Sequence, residues 1–264
     1  MVVELRTFCF DTSSFRFLYM YLTLNHTLFS LLSIGNSQGN AWGWSGDQKE
    51  PPAFDAWSKI QLGWLDPVYI IDEGIYNVAP THASSVVYVI DNGFPDKEYM
   101  ILENRQPFDM DKFGFNGGLM LYHIDEKAQI DIEGHPGQSG WPANGKHYPC
   151  SILPRDGAYN LEKGENYGDA GDLFRNGDEI GPHGVSFNGV QKSVYPNTDS
   201  YQYGSIKSTG HTIFGIDVKP DGSIEFKYCN GCDPSTFSGG PVGTPVPPTP
   251  GELLVHVLVQ NVIF

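Results

Sequence analysis

Short apolar runs, rather than long helical stripes, set the rhythm of this chain. Val86–Ile90 and Tyr99–Leu102 are continuous runs rich in branched and aromatic residues, the pattern of buried strands, and Leu119–Asp125 is a third such run. Near the end, Ile213–Val218 and Ser223–Tyr228 flank Lys219-Pro220-Asp221-Gly222, where proline presets φ and glycine permits a positive one. The pattern there predicts a hairpin with Ile224, Phe226 and Tyr228 on one face and Glu225 and Lys227 toward water. Helical spacing is found at one place. Pro51 and Pro52 suit a helix start, Ala53, Ala56, Trp57 and Ile60 form the apolar stripe, and Gly63 ends it. The expected fold is therefore mainly β (α+β). Antiparallel sheets form a sandwich-like body, with one short helix near residues 53–62 and long Gly/Pro-rich loops.

Composition divides the chain further. Residues 1–34 are an atypical N-terminal mixture without a period, signal-like only in part, because Glu4 and Asp11 sit among the arginines and polar residues interrupt the apolar run. Residues 35–232 carry the punctuation of a folded domain, 233–250 read as a Pro-rich linker, and 251–264 form a short apolar tail. The chain reads as cut at both ends. Neither apolar end is long and clean enough to suggest a membrane span. Asn25-His26-Thr27 is a glycosylation acceptor if the chain is secreted.

Charge narrows the partners. Acidic residues outnumber basic ones 31 to 16, for a net charge of −15, so nucleic-acid phosphates and anionic lipid are repelled. Of the four cysteines, Cys229 and Cys232 are spaced for a local disulfide, which would imply an oxidising compartment. A metal site there lacks its second ligand pair, and free thiols stay open as well.

Three constellations are candidates for chemistry. On a strand His123 and Asp125 project from the same face as Leu119 and Leu121, either as a structural hydrogen-bonded pair or as a ligand-orienting one in a cleft. Asp169, Asp172, Asp178 and Glu179 lie on a Gly-rich segment whose oxygens suit calcium, although the spacing is not that of an EF-hand and a solvated acidic turn explains it equally well. Asp109-Met110-Asp111 resembles such a loop only superficially, since Phe113 and Met120 fall where oxygen ligands should be. Trp42, Trp44, Trp57 and Trp64 cluster; exposed they would stack on sugars, buried they would be core, and burial is the expectation for Trp57. No H-E-x-x-H motif is present, because none of the eight histidines lies four residues from another. There is no G-x-S-x-G elbow and no phosphate-cradling loop either.

Five segments together resemble the immune inhibitor A-like family of secreted zinc metallopeptidases. They are Asn40–Asp47, Ala56–Trp64, Tyr99–Gln106, Gly117–Asp125 and Gly168–Phe174, in that order over residues 35–228, the C-terminal part of the peptidase domain. The resemblance implies a secreted hydrolase acting on polypeptide substrates, with zinc as catalytic metal and calcium as a structural ion. It also implies that the zinc helix should precede Asn40. Residues 1–34 do not match it, as of a replaced or mis-spliced start, so no zinc ligand and no catalytic residue is carried over. The expectation is a metallopeptidase-like protein that is non-catalytic as written, in effect a pseudoenzyme. A non-enzymatic, β-rich extracellular module that binds glycans is the alternative.

Overall fold

The computed structural model describes residues 53–108, 111, 116–128, 134–143, 148–166 and 168–243. The expectations placed on residues 1–34, on Asn40–Asp47 with Trp42 and Trp44, on Pro51 and Pro52, on residues 244–250 of the linker and on residues 251–264 lie outside these residues.

Two sheets form the body. In chain order the strands are β1 (Asp66–Tyr69), β2 (Gly74–Val78), β3 (Val86–Ile90), β4 (Glu98–Arg105), β5 (Gly118–Asp125) and β6 (Cys150–Ile152). Then follow β7 (Asp178–Gly181), β8 (Gly184–Phe187), β9 (Val190–Ser193), β10 (His211–Val218) and β11 (Ile224–Asn230). The first sheet has the order β1-β3-β4-β5-β6, the second β2-β11-β10-β7-β8-β9. All pairings are antiparallel except β1 with β3. The mainly β, antiparallel body expected from the apolar runs is what the chain forms.

The runs are continuous because the first sheet is covered on both faces. Tyr88, Ile90, Met100, Leu102, Leu119 and Leu121 point toward the second sheet, where they meet Ile180, Ile213, Ile224, Phe226 and Tyr228. The alternate residues Val87, Val89, Ile101, Met120, Tyr122 and Ile124 turn the other way and pack under Ala56, Trp57, Ile60, Leu65 and Leu173. Period-two alternation thus carries two cores rather than a core and a wet face. Each fully buried side chain such as Phe226 contributes about 1.5–3 kcal/mol by leaving water.

The helix, α1 (Ala56–Gln61), is shorter than the stripe predicts. Its start is capped by Asp55: the Asp55 carboxylate accepts the Ser58 N–H at 2.7 Å and the Ser58 hydroxyl at 2.8 Å. At the other end Trp64 N–H donates to Lys59 O and Gly63 N–H to Ile60 O, with Gly63 at φ +69°, which closes the helix in a Schellman motif.

The hairpin stands where the sequence places it. Gly222 N–H donates to Lys219 O and Lys219 N–H to Ser223 O; Ile224, Phe226 and Tyr228 are buried while Glu225 and Lys227 are half-buried. Within the stretch read as an extended Pro-rich linker, residues 240–242 are docked. Ile75 N–H donates to Gly240 O and Val242 N–H to Ile75 O, so residues 240–242 extend the outer edge of β2. The edge of β2 has backbone groups to satisfy, and an extended Pro-containing segment can pair there at alternate residues.

Candidate functional site: a buried His–Glu pair and the aromatic cavity beside it

Alternation along β4 and β5 sends Glu98, His123 and Asp125 to the inter-sheet face, in line with Met100, Leu102 and Leu121. His123 and Asp125 share that face as expected, but the carboxylate bonded to the imidazole comes from the neighbouring strand. His123 Nε2 lies 2.9 Å from Glu98 Oε1. Glu98 also accepts the Tyr201 N–H at 2.8 Å and the Ser200 hydroxyl at 2.6 Å. Glu98 has the longer reach across the strand diagonal, and Asp125 is held elsewhere: its Oδ1 accepts from Gln202 Nε2 at 2.9 Å and from the Lys127 N–H at 3.0 Å. Burial raises Glu98, but His123, Ser200 and the Tyr201 N–H more than offset it, and its pKa falls below the ordinary carboxylate value. Asp125 goes the other way, raised chiefly by burial. Glu98 is not singled out by the sequence, because His123 lies 25 positions away and its other partners, Ser200 and Tyr201, 102 and 103 positions away.

Next to this pair lies a cavity lined by His123, Ser151 and Leu153 on the sheet side and by Tyr148, Tyr159 and Tyr201 around it. The turn at 134–141 closes it. His135 stacks on Tyr159 with centroids 5.2 Å apart, and Trp141 stands edge-on to Tyr201 at 4.9 Å. The cavity volume is about 20 Å³, room for one water molecule. Glu162 lines it too, and burial, reinforced by Asp172 and Asp156, pushes its pKa up to about 7. Two polar atoms of the lining residues, the Tyr159 hydroxyl and the Trp141 indole nitrogen, are buried without a hydrogen-bond partner. None of Trp141, Tyr159 or Glu162 stands out in the sequence, because the three belong to a loop region without periodicity.

On the opposite face of the first sheet a second buried network joins the helix to the strands. Glu103 accepts Lys59 Nζ at 2.6 Å and the Tyr122 hydroxyl at 2.6 Å. Arg105, buried, forks onto Asp111 at 2.7 and 2.9 Å and donates to Ala53 O at 3.1 Å. Burial raises Glu103 while Lys59 and Arg105 pull it down, with the net result below its ordinary value. Asp111, read in the sequence as part of a coincidental acidic run, is the counter-ion of Arg105.

The acidic candidates separate. Asp169 and Asp172 come together: Asp172 Oδ2 accepts the Asp169 N–H at 2.7 Å, and Asp169 Oδ1 accepts the Gly171 N–H at 2.5 Å. Asp156 joins them, for a Cβ on Gly171 would lie 2.5 Å from Asp156 Oδ2 and 2.7 Å from Asp169 Oδ1. Burial, with Asp169 and Asp156 adding to it, pushes Asp172 up to about 7. Asp178 is instead gripped by the Arg155 guanidinium and by the Arg175 N–H at 2.6 Å. Glu179, on the other face of β7, is raised by burial and by Asp233. Among the described residues no group of three or more His, Cys, Asp or Glu has the geometry to hold a metal ion. As placed, the four expected calcium donors do not converge.

Cys229 and Cys232 form a disulfide, with Cα atoms 5.9 Å apart. Trp57 packs against the core beneath the first sheet, and Trp64 is half exposed. Among the described residues no helix is long and apolar enough to cross a membrane. No protein-family model, no curated protein and no solved structure matches the chain.

Proposed function

We propose that this chain is the supporting body of an immune inhibitor A-like metallopeptidase, secreted, handling polypeptide, and non-catalytic as written. One observation carries the reading. Four of the segments that resemble the family are distant in sequence and meet in one assembly. Tyr99–Gln106 and Gly117–Asp125 pair along their whole length as β4 and β5. Ala56–Trp64 attaches to them through Lys59 and Glu103. Gly168–Phe174 closes on β5 through reciprocal bonds of 2.9 Å between Leu119 and Phe174. Each segment supplies the partner another segment needs. Gly118 shows it most directly, since a Cβ there would lie 2.8 Å from Phe174 O and 2.9 Å from Leu173 Cβ.

Zinc, the catalytic metal of the resembled family, would polarise a scissile carbonyl and activate water when bound. The residues of this chain do not fit it, since two histidines one helical turn apart are absent from all 264 positions. No hydrolytic step is assigned. The Cys229–Cys232 disulfide supports a secreted setting. Zinc analysis of the full chain, with casein and gelatin hydrolysis measured with and without EDTA, tests the reading. Substoichiometric zinc and no EDTA-sensitive cleavage are expected; one zinc per chain with such cleavage would overturn it.

A further inference from the structure

We infer that the aromatic cavity beside His123 is a binding subsite for a hydroxyl group of a neutral sugar. The inference does not depend on the peptidase reading. Tyr159 and Trp141 each bury a donor that no protein group satisfies, and a buried donor left unpaired costs stability unless a water or a ligand supplies the acceptor. Indole N–H can only donate, so the occupant must bring lone pairs, which an ammonium group lacks. An anion would bring them, but it would add a further negative charge beside Glu162, part ionised at neutral pH, with Asp172 and Asp156 near it, and is disfavoured. Glu162, with its pKa near 7, is part ionised and part protonated at neutral pH, and a peptide carbonyl, which only accepts, serves the protonated form alone. A hydroxyl does both at one atom, and its size matches the single-water volume of the cavity. It would displace the water and reproduce its hydrogen bonds, the condition for a favourable exchange.

The rest of the sugar has a place to go. Pro136, Trp141 and Glu162 are half-buried, so the cavity meets solvent at a rim that carries one aromatic side chain, Trp141, and aromatic surfaces pack against the C–H faces of sugar rings. The disposition differs from a residue set built only for packing, where an orphan hydroxyl and an orphan indole N–H beside a carboxyl would be replaced by apolar groups at no loss.

The test uses the full chain and ligand-observed saturation-transfer NMR at neutral pH. The probes are the methyl glycosides of glucose, galactose and mannose, with tetramethylammonium, acetate and N-acetylserine methylamide as comparison arms. At least one glycoside is expected to bind, and Tyr159→Phe to weaken it about five- to tenfold, the worth of one hydrogen bond. Because that variant removes an unpaired hydroxyl, its melting temperature should be unchanged or higher. Glu162→Gln, which keeps the shape and removes the carboxylate, should weaken binding too. Four results would each overturn the proposal: no glycoside binds; Tyr159→Phe binds equally well; only a comparison probe binds; or Tyr159→Phe melts lower without any probe binding, which assigns the hydroxyl to a trapped water.

Discussion

Replacing Asp172 by Asn should stabilise the protein at alkaline pH and do little in acid. The Asp172 side chain is buried, with 5% of the residue exposed, and shares its corner with the carboxylates of Asp169 and Asp156. Burial first, then those neighbours, raise its pKa from the ordinary 3.8 to about 7, against the lowering effect of the Asp169 N–H. The folded state therefore holds a proton that the unfolded state has released between these two values. Folding loses stability as pH rises through that window, and the full penalty is present above it. At about 1.36 kcal/mol per unit the shift amounts to roughly 4 kcal/mol at pH 8 and less than about 1 kcal/mol at pH 4. Asn can still accept the Asp169 N–H through its oxygen, so the bond of 2.7 Å survives the change.

Urea denaturation followed by tryptophan fluorescence, in EDTA at pH 8 and pH 4, measures the difference directly. Asp172→Asn should gain about 2–4 kcal/mol at pH 8, the lower figure allowing for relaxation around the charge, and almost nothing at pH 4. A variant no more stable than the parent at pH 8, or equally stabilised at both pH values, refutes the reasoning. Calcium adds a second readout. If it raises the midpoint of the parent at pH 8 but not that of Asp172→Asn, the acidic corner closes on a cation in solution, which the placed side chains do not do.

Three further outcomes follow from the same geometry. Gly118→Ala forces a methyl group against the backbone of Phe174 and should cost about 2 kcal/mol or more in a thermal melt; a neutral result would mean that residues 173–174 are not held against β5. Glu98→Ala leaves His123, Ser200 and the Tyr201 N–H without their shared acceptor and should cost about 3–5 kcal/mol. Because the folded pKa of Glu98 is depressed, its own contribution is present above the unfolded value and fades as pH falls through the folded one, so the penalty should shrink in acid. Reduction of Cys229–Cys232 opens a loop of sequence separation 3 and should lower stability by no more than about 2 kcal/mol; dithiothreitol should have no such effect on a Cys229→Ser/Cys232→Ser variant.

Much of the scaffold was legible because its strongest signals are local. The three apolar runs became β3, β4 and β5, and the Pro-Asp-Gly turn became the β10–β11 hairpin. The runs understate β4, which continues through Glu103, Asn104 and Arg105. Three polar residues read as the end of a strand, yet each is buried and satisfied by a partner from another segment: Lys59, the Val78 and Gly222 carbonyls, and Asp111. The helix begins at Ala56 rather than near residue 53 for a related reason, since the Asp55 carboxylate caps Ser58. The short strands β1, β2 and β6 to β9 carry too few residues for a period to emerge. The candidate site was less legible still. His123 and Asp125 follow from alternation, but Glu98 meets them only through the pairing of β4 with β5, and Tyr159, Trp141 and Glu162 line the cavity only through the folding of loop segments.

The two buried networks also explain why β4 and β5 pair in one register. Glu98 and His123 belong to the face between the sheets, Glu103 and Tyr122 to the face beneath α1, and the partners are aligned by Met100 opposite His123 and Glu103 opposite Met120. A one-residue slip of β5 would turn His123 toward the helix and Tyr122 into the inter-sheet core. Glu98 would then be buried without its imidazole and Glu103 without its phenol. Glu98 would keep Ser200 and the Tyr201 N–H and Glu103 would keep Lys59, yet each lost hydrogen bond to a buried carboxylate costs about 1.5–3 kcal/mol, a sizeable part of the net stability of about 5–15 kcal/mol typical of a folded domain. Apolar side chains alone would not discriminate so sharply, because both faces of this sheet are greasy and Leu121, Met120 and Ile124 could exchange roles at little cost. The charges placed inside this sheet therefore act on alignment more than on net stability, and they hold His123, the residue of β5 that lines the cavity, in place.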